Sequence, residues 1–249
     1  MNPDFADIRG NQEAVRALER AVINRTSVLL IGPPGAGKTM LARRVTTILP
    51  PLTNQEREEA AMIWMGVDTD VPTDRPFRAP HHTVSDAGLF GGFTRQLNDS
   101  PLQRGETPEY RWVARPGEFS LAHGGVLFLD ELAEFRRSML GGIGRTMTAK
   151  MIEMSNSKIG SVVVPARPIV IAAANLCPCG RAGTSWECRC SGSSRLAYNR
   201  RLDQIRQMFD EVVEVRPVSL HDIQPGEFIL LDNESSATIA ARVLAARAS

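Results

Sequence analysis

The sequence predicts an α/β fold, a parallel sheet flanked by helices, and three observations predict it. Short apolar runs at residues 27–31, 126–129 and 169–174 have the length and composition of strands buried on both faces. Between them lie segments of helical periodicity, which is the alternation a doubly wound parallel sheet requires. A glycine-rich loop joins the first of these strands directly to a helical segment.

Taken in order, residues 12–24 carry Ala14, Val15, Leu18, Ala21 and Val22 at three- and four-residue spacing, an amphipathic helix. The strand at 27–31 follows, then a second helical pattern at 40–49 that Pro50-Pro51 ends. Residues 67–112 are rich in proline, glycine and polar side chains, which predicts insertions and loops. Residues 162–165 are expected to pair with 151–154 as a hairpin. Residues 235–248 again have a helical pattern.

At 249 residues and 43% hydrophobic, the chain can bury a core of one large domain, or of one domain and part of a second. Lysine and arginine number 29 against 28 acidic residues, a net charge of +1, so a nucleic acid would have to be met by a local patch. No apolar run approaches the roughly 20 residues of a spanning helix. Met1-Asn-Pro-Asp-Phe-Ala-Asp7 lacks the basic-then-apolar pattern of a signal peptide. The expectation is a cytoplasmic protein without a membrane partner.

Gly32-Pro33-Pro34-Gly35-Ala36-Gly37-Lys38-Thr39 matches the P-loop pattern G-x-x-x-x-G-K-[ST] at every fixed position. Backbone N–H groups in such a loop, and the start of the helix that follows, point at phosphates. Lys38 is then expected to reach the β- and γ-phosphates of ATP and the Thr39 hydroxyl to bind Mg2+; Met40 closes the nucleotide-binding stretch. The strand at 126–129 ends in Asp130-Glu131, where Asp130 is expected to hold the magnesium and Glu131 to act as general base on the attacking water. The strand at 169–174 ends in Asn175. A lone asparagine there is ordinarily a turn residue, but beside the other two motifs it is suited to orient that water.

All four cysteines fall between 177 and 190, as Cys177-x-Cys179 and Cys188-x-Cys190. They could supply four thiolates to one tetrahedral zinc, the alternative being free thiols in a polar loop. Adjacent His81 and His82 suit a structural or subunit-contact role better than a metal site. Arg189, Arg195, Arg200, Arg201 and Arg206, with Tyr198 to stack on a base, form one candidate nucleic-acid patch, diluted by Asp203, Asp210 and Glu211. A solvated face or subunit interface is the competing reading. The 151–165 hairpin with Lys150 and Lys158 is a second candidate.

The order of these motifs resembles the magnesium-chelatase-like AAA+ ATPases of the ComM/YifB type. The likeness also rests on Asp4 to Gly10, on Arg75-Pro-Phe-Arg-Ala-Pro-His-His-Thr-Val-Ser-Asp86, on Arg115 to His123 and on Cys177-Pro-Cys-Gly180. The resemblance implies an AAA+ ATPase core over residues 1–234, with the cysteine loop at 177–190, and the start of a truncated helical lid at 235–249. It implies a homo-oligomeric ring, typically a hexamer, that remodels single-stranded or branched DNA; relatives in chlorophyll synthesis drive metal insertion instead.

The chain departs from the family in places. The arginine expected to reach a neighbour's γ-phosphate aligns with Met208, with Arg206 two residues away. The sensor-2 arginine of the lid is not found. Gly141, Gly142 and Gly144 fall where the family has a good helix, and a frayed helix is expected there. A nucleotide-binding assembly module with slow or no hydrolysis, or a chelatase-like remodeller of a protein or metallocofactor, are therefore the competing functions.

Overall fold

Strands one and two residues apart in burial organise the molecule. In β1 (Val28–Ile31), Val28 and Leu30 point into one apolar cluster while Leu29 and Ile31 point into another on the opposite face. The same division splits β5 (Val126–Leu129) and β8 (Ile169–Ala174). A strand buried on both faces needs helices on both sides, and the computed structural model supplies them. It describes residues 3–65, 67, 71–97, 110–217 and 234–248. Parts of the expected 67–112 insertion region, of the 1–234 core and the last residue of the 235–249 segment lie outside the described residues.

Among the described residues the sheet has five parallel strands in the order β2 (Phe77–Arg78), β5, β8, β1, β9 (Glu211–Glu214). Val28 to Ile31 register with Ile171 to Ala174 on one side and with Glu211 to Glu214 on the other. Because every strand runs the same way, the loops after β1, β5 and β8 emerge on one edge, where sheets of this class bind ligands.

On one face pack α1 (Gln12–Asn24), α2 (Lys38–Arg44), a 3₁₀ turn at Val45–Ile48 and α8 (Ser236–Ala248), the last through Ile239 and Val243. A short 3₁₀ turn at Phe5–Asp7, capped by Asp4, buries Phe5 in the same layer. The helix expected at 40–49 thus begins earlier and ends sooner. Gly37, at φ 91°, starts it, and the β-branched run Val45-Thr46-Thr47-Ile48 tightens its second half into 3₁₀ geometry.

The opposite face is covered by α6 (Arg137–Ala149), preceded by a 3₁₀ turn at Leu132–Glu134, and by α7 (Gly192–Arg206). The fraying expected of α6 is not found: its thirteen residues form one helix through all three glycines. Tertiary packing overrides propensity here. A Cβ on Gly142 would stand 2.6 Å from Phe90 Cζ, so the missing side chain is the seat of a ring.

α3 (Asn54–Trp64) and α5 (Glu118–Leu121) share a small third cluster of Ala60, Ile63, Trp64 and Leu121. The region read as loops contains α4 (Asp86–Phe90) and an unforeseen hairpin of β3 (Gly91–Leu97) and β4 (Tyr110–Pro116). The expected second hairpin is present as β6 (Met151–Asn156) and β7 (Gly160–Pro165), two residues longer in each arm. The two hairpins touch where a Cβ on Gly91 would lie 2.8 Å from Met154 Sδ. Among the described residues, no helix is long and apolar enough to cross a membrane.

Candidate functional site

The 32–39 loop curls at the end of β1 because it needs left-handed backbone at Gly35 and Gly37 and leaves no room for a side chain at Gly32. Gly32 N donates to Ala174 O at 3.1 Å, and a Cβ on Gly32 would fall 2.0 Å from Val215 O. Gly37 is left-handed just before α2 and aims the first N–H groups of that helix into the loop. Thr39 and Met40 are exposed beside it.

Lys38 is buried and its three ammonium hydrogens have three acceptors: Gly32 O at 2.7 Å, Pro33 O at 2.9 Å and Asn175 Oδ1 at 3.1 Å. Burial pushes its pKa down, and the charges of Asp130 and Glu131 pull it partly back. Thr39 Oγ1 donates to Asp130 Oδ2 at 2.9 Å, and Glu131 N donates to the other oxygen, Asp130 Oδ1, at 2.9 Å. The three strand ends therefore bring Lys38, Thr39, Asp130, Glu131 and Asn175 to one edge. A hydroxyl and a carboxylate side by side are hard oxygen donors of the kind Mg2+ takes, and a buried ammonium held only by neutral oxygens is suited to an incoming phosphate.

Two neighbours of the site were not foreseen in these roles. Glu131 is left-handed at φ 50°, uncommon for a side chain of its kind, and its carboxylate lies 3.2 Å from His82 Nδ1. His81 stacks on His82 at 4.0 Å between ring centroids. So His82 stands next to the expected general base, and only its place in the 75–86 stretch hinted at this. Tyr198, expected to be free for stacking on a base, is instead buried, with its hydroxyl donating to Asn175 O at 2.9 Å and its pKa pushed up to about 12 by burial. An aromatic at that point of α7 faces the core because it lies on the same helical face as Leu202 and Ile205.

The other candidate basic groups are divided. Arg195 and Arg200 are exposed, Arg206 pairs with Asp203 at 3.2 Å, and Arg201 donates to Phe135 O. Met208, at the aligned arginine position, packs into the core against α6 beside Gly144.

The cysteine loop follows Asn175 directly. Cys177 Sγ and Cys179 Sγ are 3.5 Å apart, and Cys188 Sγ lies 3.7 Å from each of them. All four sulfurs, Cys190 included, lie within 4.8 Å of one another. A disulfide would need about 2.05 Å, whereas the edge of a tetrahedron with metal–sulfur bonds of about 2.3 Å is about 3.8 Å. The spacing fits four ligands around one ion. Ala182 N donates to Cys177 Sγ at 3.3 Å, and the backbone N–H groups of Arg181 and Arg189 lower the pKa of the Cys179 thiol, while desolvation among the clustered sulfurs raises that of Cys190. These N–H groups are donors that favour thiolate.

With that geometry in view, residues 4–107 and 109–223 match the family model described as magnesium chelatase, subunit ChlI. The protein YifB of Salmonella typhimurium is 38% identical over 252 residues, covering 98% of this chain and 44% of its own. The competence protein ComM of Haemophilus influenzae is 37% identical over 217 residues, covering 85% of this chain and 39% of its own. The chain thus spans about half the length of the curated relatives it matches. Among solved structures, NtrX from Brucella abortus in complex with ATP aligns over 84% of this chain with a TM-score of 0.48 and 18% identity.

Proposed function

This chain belongs to the magnesium chelatase family, as a ComM/YifB-type member with an AAA+ nucleotide-binding fold, and from that premise we propose that it is a magnesium-dependent ATPase that assembles as a ring, typically a hexamer, and remodels DNA. The single observation that carries the ATPase reading is the convergence of Lys38, Thr39, Asp130, Glu131 and Asn175 at the ends of three parallel strands.

In this reading ATP displaces the carbonyls that now hold Lys38, and its ammonium moves to the β- and γ-phosphates. Thr39 and Asp130 would hold magnesium, which supplies neutralisation of phosphate charge. Glu131 takes the proton of the attacking water at its carboxylate, and Asn175 fixes where that water stands. His82, against Glu131, limits the directions the carboxylate can face. The core of residues 1–234 and a lid beginning at 235 form part of the same proposal, with α8 seated on the core through Ile239 and Val243. Zinc at the four cysteines belongs to it as well, and the clustered free thiols suit a reducing, cytoplasmic setting.

DNA as the substrate is supported by kinship with a competence protein and by the β3–β4 hairpin. Arg95 lies across from Trp112, with its guanidinium 5.0 Å from the Tyr110 ring and 5.8 Å from that of Trp112, and Tyr110 is 54% exposed. An exposed aromatic beside arginines is a surface on which single-stranded bases stack. The test is steady-state ATP hydrolysis measured against protein concentration, with and without forked DNA. A ring enzyme gains specific activity as it assembles and gains more with DNA, and Glu131→Gln lowers turnover about 10²–10⁴-fold while ATP still binds. Absence of any DNA effect and of salt-sensitive DNA binding would sink the DNA part.

The second reading, an assembly module with slow turnover, has a specific observation behind it. Met208, which carries no charge, packs partly buried against α6, and Arg206 lies two residues away in an exposed pair with Asp203, so the aligned position offers no arginine to a neighbour's nucleotide. Hydrolysis that stays at background as protein concentration rises, with ATP bound, would favour it.

A further inference from the structure

We propose that a zinc ion held by Cys177, Cys179, Cys188 and Cys190 braces the phosphate loop, so that metal occupancy sets the affinity for nucleotide. The inference rests on the reading that the 32–39 loop takes ATP. It starts from two contacts that the four ligands alone do not explain.

The chain between the two cysteine pairs folds back against the loop's two prolines. A Cβ on Gly180 would stand 3.0 Å from Pro34 Cγ, and one on Gly183 would stand 3.6 Å from Pro33 Cδ and 2.7 Å from Leu176 Cδ1. Backbone thus lies directly on Pro33 and Pro34, whose conformations set the entry to the phosphate loop. At its other end the cysteine segment begins two residues after Asn175, the acceptor of Lys38. The turn joining these points is short: Gly180 N donates to Cys177 O at 3.1 Å and Thr184 N to Arg181 O at 3.1 Å.

Hydrogen bonds within its own turns shape that segment, but little beyond its first residues ties it to the core. Of the four cysteines only Cys177 is buried, and residues 185–187 are exposed, with Trp186 at 71%. A polar surface loop anchored by apolar contact only at its start keeps its far end in one conformation only if something cross-links it. Four sulfurs at tetrahedral spacing are that cross-link, and a structural metal contributes its binding free energy to the fold it closes. Without it, the surface pressed on Pro33 and Pro34 and the position of Asn175 both loosen. A loop that must be ordered at the moment of binding takes up its nucleotide less tightly.

The experiment uses the 249-residue chain, loaded with one equivalent of zinc or stripped with a high-affinity zinc chelator and returned to excess magnesium, with ATP affinity read by calorimetric titration. The loaded chain should show four sulfur neighbours at about 2.3 Å in X-ray absorption. Stripping should weaken ATP binding about tenfold, and zinc should restore it. A second variant, Gly180→Asn, keeps all four thiols, tolerates the left-handed backbone at φ 72° and places a side chain against Pro34; it should hold zinc and still bind ATP more weakly.

Equal ATP affinity in loaded and stripped chains overturns the proposal, as does an absence of zinc–sulfur coordination. If stripping unfolds the chain, Gly180→Asn decides: zinc bound and ATP affinity unchanged overturns it. Zinc bound and no ATP binding in either form overturns the nucleotide reading itself, and the coupling falls with it.

Discussion

Lys38 and Arg75 are both cations carried into the body of the protein, and they are satisfied in opposite ways. Arg75, with a side chain 7% exposed, meets the carboxylate of Glu56 through both terminal nitrogens and donates further to Pro50 O, Pro51 O and Gly124 O. Glu56 is pushed up by burial, but Arg75, the Thr53 N–H and Arg25 outweigh this and bring it down to about 2. Among the described residues Lys38 has only neutral oxygens within hydrogen-bonding reach, the Asp130 and Glu131 charges acting from farther off, and burial depresses its pKa. One charge is closed by the fold. The other is left for an anion to complete, so a buried cation marks a ligand site only where the protein withholds the counter-charge.

The largest effect expected from this contrast is on stability at Arg75. Arg75→Ala leaves the Glu56 carboxylate buried without its main partner and should cost roughly 3–5 kcal/mol in urea unfolding. Lys38→Met should do the reverse. It removes a buried charge, so stability should stay within about 1 kcal/mol of the parent or rise, while ATP affinity falls about 100-fold, as loss of charge-assisted bonds worth about 3 kcal/mol implies. Should Lys38→Met destabilise the fold as much as Arg75→Ala, the distinction between the two cations is wrong.

A smaller, pH-dependent effect comes from a third charged node between these extremes. His123 is 2% exposed; its Nε2 lies 2.8 Å from Glu59, its Nδ1 accepts from Arg167 N at 3.3 Å, and Arg167 also pairs with Glu59. Burial pushes its pKa below the ordinary value, more than Glu59 pulls it up, with Arg167 adding to the lowering. The folded chain therefore binds fewer protons than the unfolded one just below pH 6.5, and stability should fall as pH drops through that value. Glu56 and Glu59, both depressed, add their losses only at lower pH. Unfolding free energies at pH 7.5 and 5.5 check this, and His123→Phe should flatten the slope between them.

The sequence showed the central strands and the loop of the site because those features are local. A P-loop is written in consecutive residues, and β1, β5 and β8 announce themselves as apolar runs. The edge strand β2, only two residues long, gave no signal, since its place depends on a long-range register with Val126 and Leu127. The β3–β4 hairpin was hidden by composition: Gly91-Gly92 and three arginines read as loop, although cross-strand stacking of Arg95 on Tyr110 and Trp112 makes a ribbon of it. His82 beside Glu131 and Tyr198 on Asn175 join residues far apart in the chain, which no spacing rule reaches. Tyr198 misled for a plain reason, since an aromatic among arginines can face either water or core and only packing decides.

The contrast between a vacancy the fold has closed and one it has left open recurs in α6 on the scale of a methyl group. Gly141 is exposed, and a Cβ there would meet only the tip of Arg145 at 3.5 Å, a side chain free to move. Gly142 is buried, and a Cβ there would lie 2.6 Å and 2.9 Å from two atoms of the Phe90 ring. That ring is itself stacked on Phe119 at 5.8 Å, so it has little freedom to yield. Gly141→Ala should therefore stabilise the chain by roughly 1 kcal/mol through helix propensity alone. Gly142→Ala gains the same propensity but must push into the ring, an overpacking cost of about 1–3 kcal/mol. Thermal unfolding of the two variants should shift in opposite directions. If both stabilise, Phe90 moves aside and the helix was merely tolerating its glycines; if both destabilise, the exposed face of α6 is occupied in solution by something that needs Gly141 small.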